Sequence, residues 1–180
     1  MKSLLFTTIC IAAIGASCVQ SAHAQDVRPL TISQFEKSVL FQKYKLISKD
    51  HWSLRAGGIN FWYSFPDPDN PDNQNASVEM SSEPADIRTL AISWIGESTS
   101  NPASLTRRRE LFLREVLQAT YPDIDSTAIA AFVRAEQRKR YPGGGNAMPR
   151  KRLASASVHA GTVGSRLIVG IERTAGGVGR

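Results

Sequence analysis

Residues 59–65 read Ile-Asn-Phe-Trp-Tyr-Ser-Phe, and their alternation decides the fold. Side chains of an extended chain alternate between two faces, so Phe61, Tyr63 and Phe65 share one face and Asn60, Trp62 and Ser64 the other. A strand that is apolar on one side and largely polar on the other belongs to an antiparallel sheet with a single covered face.

The same pattern extends outward. Upstream, Trp52-Ser53-Leu54 reads as a short strand, joined to residues 59–65 through a turn at Gly57-Gly58. Further upstream, Ser33-x-x-Glu36 matches a capping box with Ile32 as a staple; Phe35, Val39, Gln42 and Leu46 follow at helical spacing, giving a helix over 33–46. Downstream, Pro66 to Asn75 is a polar loop, and Ala76–Ser81 and Arg88–Ile95 alternate as a second hairpin. A linker over 96–104 leads to a helix over 103–120, with Pro102 near its start and Leu105, Phe112, Val116 and Ala119 as its buried stripe. Tyr121-Pro122 ends it. Asp123 or Asp125 caps a further helix over 126–140, with Ile129, Phe132 and Val133 facing inward. Gly143-Gly144-Gly145-Asn146 then forms a hinge. Arg152–His159 and Ser165–Arg173 are two closing strands, and Gly-rich residues 174–180 a frayed tail.

Runs of strands and runs of helices, rather than strict alternation, indicate an α+β fold. The expectation is an antiparallel sheet of about six strands: two hairpins, a helical hairpin, then a final hairpin, with helices packed on one face. Ala76-Ser-Val-Glu79 and Ala156-Ser-Val-His159 form a weak internal echo, of a kind that two strands of similar composition produce by chance.

The first 24 residues read differently. Met1 and Lys2 give a cationic start, Leu4 to Ile14 an apolar run, and Ala22-His23-Ala24 an A-x-A cleavage pattern: a secretory signal peptide. That run is too short to span a bilayer as a helix, and no later stretch is longer, so the mature chain has no transmembrane helix. The expectation is an exported protein, periplasmic or secreted, with one mature domain over 25–180. Both cysteines, Cys10 and Cys18, lie in the leader, which excludes disulfides, thiol catalysis and cysteine metal sites from residues 25–180. Lipidation at Cys18 is disfavoured, because Gly15-Ala16-Ser17 lacks the large aliphatic residue that usually stands three places before such a cysteine.

Charge is uneven. Residues 25–100 carry 7 Lys/Arg against 10 Asp/Glu; residues 101–180 carry 14 against 6, and 12 of those 14 are arginine. Arginine suits bidentate contact with carboxylate or phosphate. Arg134, Arg138, Lys139 and Arg140 end the last helix, where cations complement its dipole. That reason does not extend to Arg150, Lys151 and Arg152, nor to Arg107, Arg108 and Arg109 at a helix start. These ten cations are the candidate partner-binding residues, facing another envelope protein or an anionic envelope surface; nucleic acid is not an expected partner outside the cell.

Other constellations read as structure. Prolines between Asp67, Asp69 and Asp72, and the lack of a calcium-hand glycine, leave a solvated turn. Asp50 and His51 are adjacent and so point to opposite faces. No serine sits in G-x-S-x-G, and the triple glycine is no phosphate loop. Trp62 is expected to pack under a helix, the other assignment being an outward stacking surface for sugar or peptide. No cofactor, metal site or catalytic residue is assigned. The resulting expectation is a non-enzymatic binding protein of a bacterial envelope. The alternative is an envelope-directed hydrolase using Glu79, Glu83 or Asp86 with His159, which requires carboxylates about 5–10 Å apart.

Overall fold

The computed structural model describes residues 31–54, 58–72, 76–83, 86–143, 147–153 and 155–174, without the side chains of Ser82, Glu83 and Asp86. The leader, the Gly144–Asn146 part of the hinge and the tail beyond Thr174 lie outside the described residues. Among the described residues seven strands form one antiparallel sheet: β1 (Ile47–Ser53), β2 (Ile59–Phe65), β3 (Ala76–Glu83), β4 (Asp86–Ile95), β5 (Lys151–Leu153), β6 (Ala156–Val163) and β7 (Arg166–Arg173). Their order across the sheet is β1-β2-β3-β4-β7-β6-β5. The helices are α1 (Ile32–Glu36), α2 (Val39–Lys43), α3 (Arg107–Thr120) and α4 (Ser126–Glu136).

The α+β reading and the antiparallel sheet hold, with local differences. The helix expected over 103–120 starts at Arg107, leaving Leu105 outside it, and the one expected over 126–140 ends at Glu136. The expected helix over 33–46 is two short helices. Thr31 and Gln34 form the capping box, one set ahead of Ser33 and Glu36, and the Ser38 hydroxyl caps α2 by accepting from the Phe41 N–H at 3.2 Å. Serine favours such local bonds over helix interiors, so it breaks the helix where periodicity alone would continue it. The strand expected over 152–159 is instead two strands, and β6 runs on to Val163 before Gly164, at φ 59°, turns the chain. β1 starts at Ile47, with a bulge between Ser48 and Asp50.

Register explains the core. Tyr63, Val78, Ile92, Val169 and Ala160 lie in one cross-strand row, and Phe61, Met80, Leu90, Ile171 and Val158 in the next. All but Phe61 are at most 2 % exposed. All four helices sit over this face. Phe112 of α3 is the central knob: it stacks on Phe65 at 4.2 Å between ring centroids and meets Tyr44 edge-on at 4.6 Å. Phe35 packs edge-to-face on Phe41 and lies 5.8 Å from Tyr63, whose hydroxyl donates to Glu36. Burial and that acceptor push the Tyr63 phenol above its ordinary range.

The topology also repeats. The strand order is symmetric about the β4–β7 ladder: a helix pair and β2-β3-β4 on one side, a helix pair and β5-β6-β7 on the other, with β1 added at one edge. The weak sequence echo falls on this frame. Glu79 pairs with Ala91, Ala91 with Gly170 and Gly170 with His159, so the ends of the two echoed segments sit at matching distances from the central ladder.

Candidate functional site

The α3–α4 hairpin brings the start of one helix beside the end of the other. Thr106 caps α3 by accepting from the Arg109 N–H at 3.3 Å. Gln137, the C-cap of α4, accepts from the Leu105 N–H at 2.6 Å, and its carbonyl accepts from the Thr162 hydroxyl at 2.7 Å. These bonds hold residues 104–108 against 134–140, although 32 residues separate the Leu105–Gln137 pair.

Two depressions lined by exposed arginines open at this end. One, of about 730 Å³, is lined by Leu105, Arg107, Arg108, Glu110, Leu111, Arg114 and Arg134. The other, of about 320 Å³, is lined by Pro102, Ala103, Ser104, Gln137, Arg138, Arg140 and Thr162. Six arginines therefore line these two hollows, with Glu110 as the one carboxylate among their lining residues; a third depression, of about 350 Å³, shares Pro102, Ala103 and Ser104 with the smaller one and is lined by Asp67, Asp69, Glu97 and Arg109. Glu110 pairs with Arg134. Arg107, Arg114, Arg138 and Arg140 are exposed and make no ion pair among the described residues. Arg108 reaches the Pro68 carbonyl at 3.4 Å.

The ten predicted cations are not one cluster. Five of them line the two hollows: Arg107, Arg108, Arg134, Arg138 and Arg140. Lys139 pairs with Glu136 at 2.8 Å, and that bond raises its pKa. Arg150 pairs with Glu172 at 2.5 Å on the sheet face away from the helices. Lys151 lies opposite Val158 on the helix side, 5.6 Å from the Phe132 ring centre, whereas Arg152 lies opposite Ser157 on the other side. Arg109 is different again. It is only 8 % exposed; its Nε and Nη2 grip Asp67 at 3.0 and 2.5 Å, and its Nη1 donates to the Ser104 carbonyl at 2.7 Å. Asp69 lies 3.2 Å from the same guanidinium and accepts from the Thr106 hydroxyl at 2.6 Å. Arg109 is thus a structural tie that pins the Pro66–Asn70 loop to α3, not a surface cation. Its acidic partners are occupied too, which accounts for Asp67 and Asp69, two of the trio Asp67, Asp69 and Asp72. Sequence reading missed Arg114; its signal is the i, i+7 spacing from Arg107, which returns it to the same helix face.

Of the acid–histidine alternative, only the Glu79–His159 pair falls on described side chains, and these two do not converge. Glu79 is exposed, and His159 sits three strands away on the same row; at about 4.8 Å per strand their backbones are about 14 Å apart, too far for a direct hydrogen bond between the two side chains. The Glu83 and Asp86 side chains lie outside the described residues. His159 lies flat over Gly170, where a Cβ would meet its Nε2 at 2.2 Å. Burial, then the nearby Arg150, lowers its pKa below the ordinary 6.5. His51 is exposed and stacks on Phe61 at 6.1 Å. Trp62 does not pack under a helix: it lies on the opposite face and is 38 % exposed. Among the described residues no group of three His, Cys, Asp or Glu converges, and no helix is long and apolar enough to cross a membrane.

Comparison with protein-family models, with curated proteins and with solved structures finds no match for this chain.

Proposed function

We propose that this chain is an exported, non-enzymatic binding protein of the bacterial envelope, periplasmic or secreted. It docks an anionic partner, another envelope protein or an anionic envelope surface, through the arginine end of the α3–α4 hairpin. One observation carries this reading: six arginines line two hollows whose one lining carboxylate, Glu110, is already paired. Uncompensated cations around a concavity focus field lines and draw an anionic partner in. Arginine forks then hold carboxylate or phosphate groups bidentately. Leu105 and Leu111 add apolar contact, and Leu111 is 52 % exposed. The Gln137–Leu105 bond keeps the two helix ends in register, so the arginines are presented on a rigid frame.

The test is capture from envelope extract by the tagged protein, compared with a variant carrying Arg107, Arg108, Arg138 and Arg140 changed to Ala, at low and moderate salt. A discrete partner is expected, lost in the variant and weakened as salt shortens the Debye length to about 8 Å. Capture indifferent to both salt and mutation overturns the reading, as does the absence of any partner while the variant unfolds at the same urea concentration as the parent.

A further inference from the structure

The sheet face away from the helices carries a second surface of different chemistry. Trp62 is 38 % exposed and Trp52 is 42 % exposed. Asp50 pairs with Trp62 and Trp52 with Asn60 across the β1–β2 ladder, so both indoles belong to this face and are diagonal neighbours. Diagonal positions lie about 7–8 Å apart, within reach of aromatic side chains. Trp62 is flanked across both neighbouring strands by a carboxylate: Asp50 on β1 and Glu79 on β3. Asp50 is held in place, since its Oδ1 accepts from the His51 N–H at 2.8 Å. Glu79 is exposed and makes no ion pair among the described residues.

We infer that Trp52, Trp62, Asp50 and Glu79 form a binding platform for an uncharged polysaccharide. A sugar ring has an apolar face of C–H groups and a rim of hydroxyls. The negative π-face of an indole attracts those C–H groups, and carboxylates one strand spacing to either side, about 4.8 Å, accept from the rim hydroxyls. Two offset exposed rings on an open sheet face suit an extended chain rather than a single buried sugar. The two carboxylates select against anionic glycans. This sets the platform apart from the arginine hollows, which are on the helix side and need an anion. An apolar protein partner fits less well, because the rings are bracketed by two desolvation-costly carboxylates.

Tryptophan fluorescence reads the platform directly, because the third tryptophan, Trp94, is fully buried and serves as internal reference. The probes are cellohexaose and the uncharged hexamer of N-acetylglucosamine. Saturable change in emission and protection from acrylamide quenching are expected for at least one. Trp52→Ala and Trp62→Ala are each expected to weaken binding about tenfold, and Asp50→Asn or Glu79→Gln several-fold. Changing Arg107, Arg108, Arg138 and Arg140 together is expected to leave sugar binding unchanged, so this result is independent of the arginine proposal. No saturable response to either hexamer overturns the inference. So does binding that survives the Trp52→Ala/Trp62→Ala double variant, or quenching that tracks self-association in sedimentation instead of sugar.

Discussion

The half built from α1, α2 and β2–β4 and the half built from α3, α4 and β5–β7 meet at the β4–β7 ladder, but they are finished differently. α1 and α2 have 5 residues each; α3 and α4 have 14 and 11. Among the described residues, five of the six large exposed apolar side chains, Val39, Ile47, Trp52, Ile59 and Trp62, lie in the first half or its added edge strand, and Leu111 lies in the second. The cations are distributed the other way. A repeated frame has been given longer helices and arginines on one side, and an extra strand with an aromatic surface on the other. The halves are joined by side chains as well as by the sheet: Arg109 to Asp67, and Lys43 and Tyr44 to Glu115.

The comparison breaks first at its joint. Phe112 comes from the second half and rests on Phe65 and Tyr44 of the first. Phe112→Ala is expected to cost about 3–5 kcal/mol in urea melts, against less than about 1 kcal/mol for Trp62→Ala on the open face. Similar costs would mean that Trp62 is a core residue after all. Next comes Arg109→Ala, at about 3 kcal/mol, because it leaves Asp67 buried without its partner. Adding Asp67→Leu to Arg109→Met is expected to recover most of that loss; no recovery would show that the guanidinium, rather than the pairing, is what the loop needs.

Gly170→Ala probes the centre of the repeat. Its Cβ would collide with the His159 ring, which must swing away, at about 1–2 kcal/mol. The same change in a His159→Ala background is expected to cost less. The smallest effect is the pH dependence of His159. Its folded pKa lies below the ordinary 6.5, so the unfolded state binds more protons as pH falls past that value. Stability therefore falls as pH drops through the window below about 6.5, and His159→Gln is expected to flatten that slope. An imidazole NMR titration with a midpoint above 6.5 would reverse the sign.

Much of the fold was legible because period-two alternation survives burial: Phe61, Tyr63 and Phe65 do share the helix face, and Leu90, Ile92 and Trp94 follow the same rule. What was illegible depends on contacts far apart in sequence. Nothing around Arg109 distinguishes it from Arg107 and Arg108, and only Asp67, 42 residues earlier, decides that it is buried. Periodicity could place Trp62 opposite Tyr63 but could not say that no helix covers that side. The split of the first helix was hidden because Ser38 sits between two apolar turns. Strand order, which turns a weak echo into a symmetric frame, is invisible until β4 is seen against β7.

The most direct test of the arginine end is a titration of the arginine Nε–Hε resonances with poly-glutamate, followed by two-dimensional NMR at low salt. Arg107, Arg108, Arg138 and Arg140 are expected to shift together, while Arg109, held by Asp67, and the indole N–H groups of Trp52 and Trp62 stay in place. Shifts spread evenly over every exposed arginine, Arg152 and Arg166 included, would contradict the account, as would shifts confined to the open sheet face.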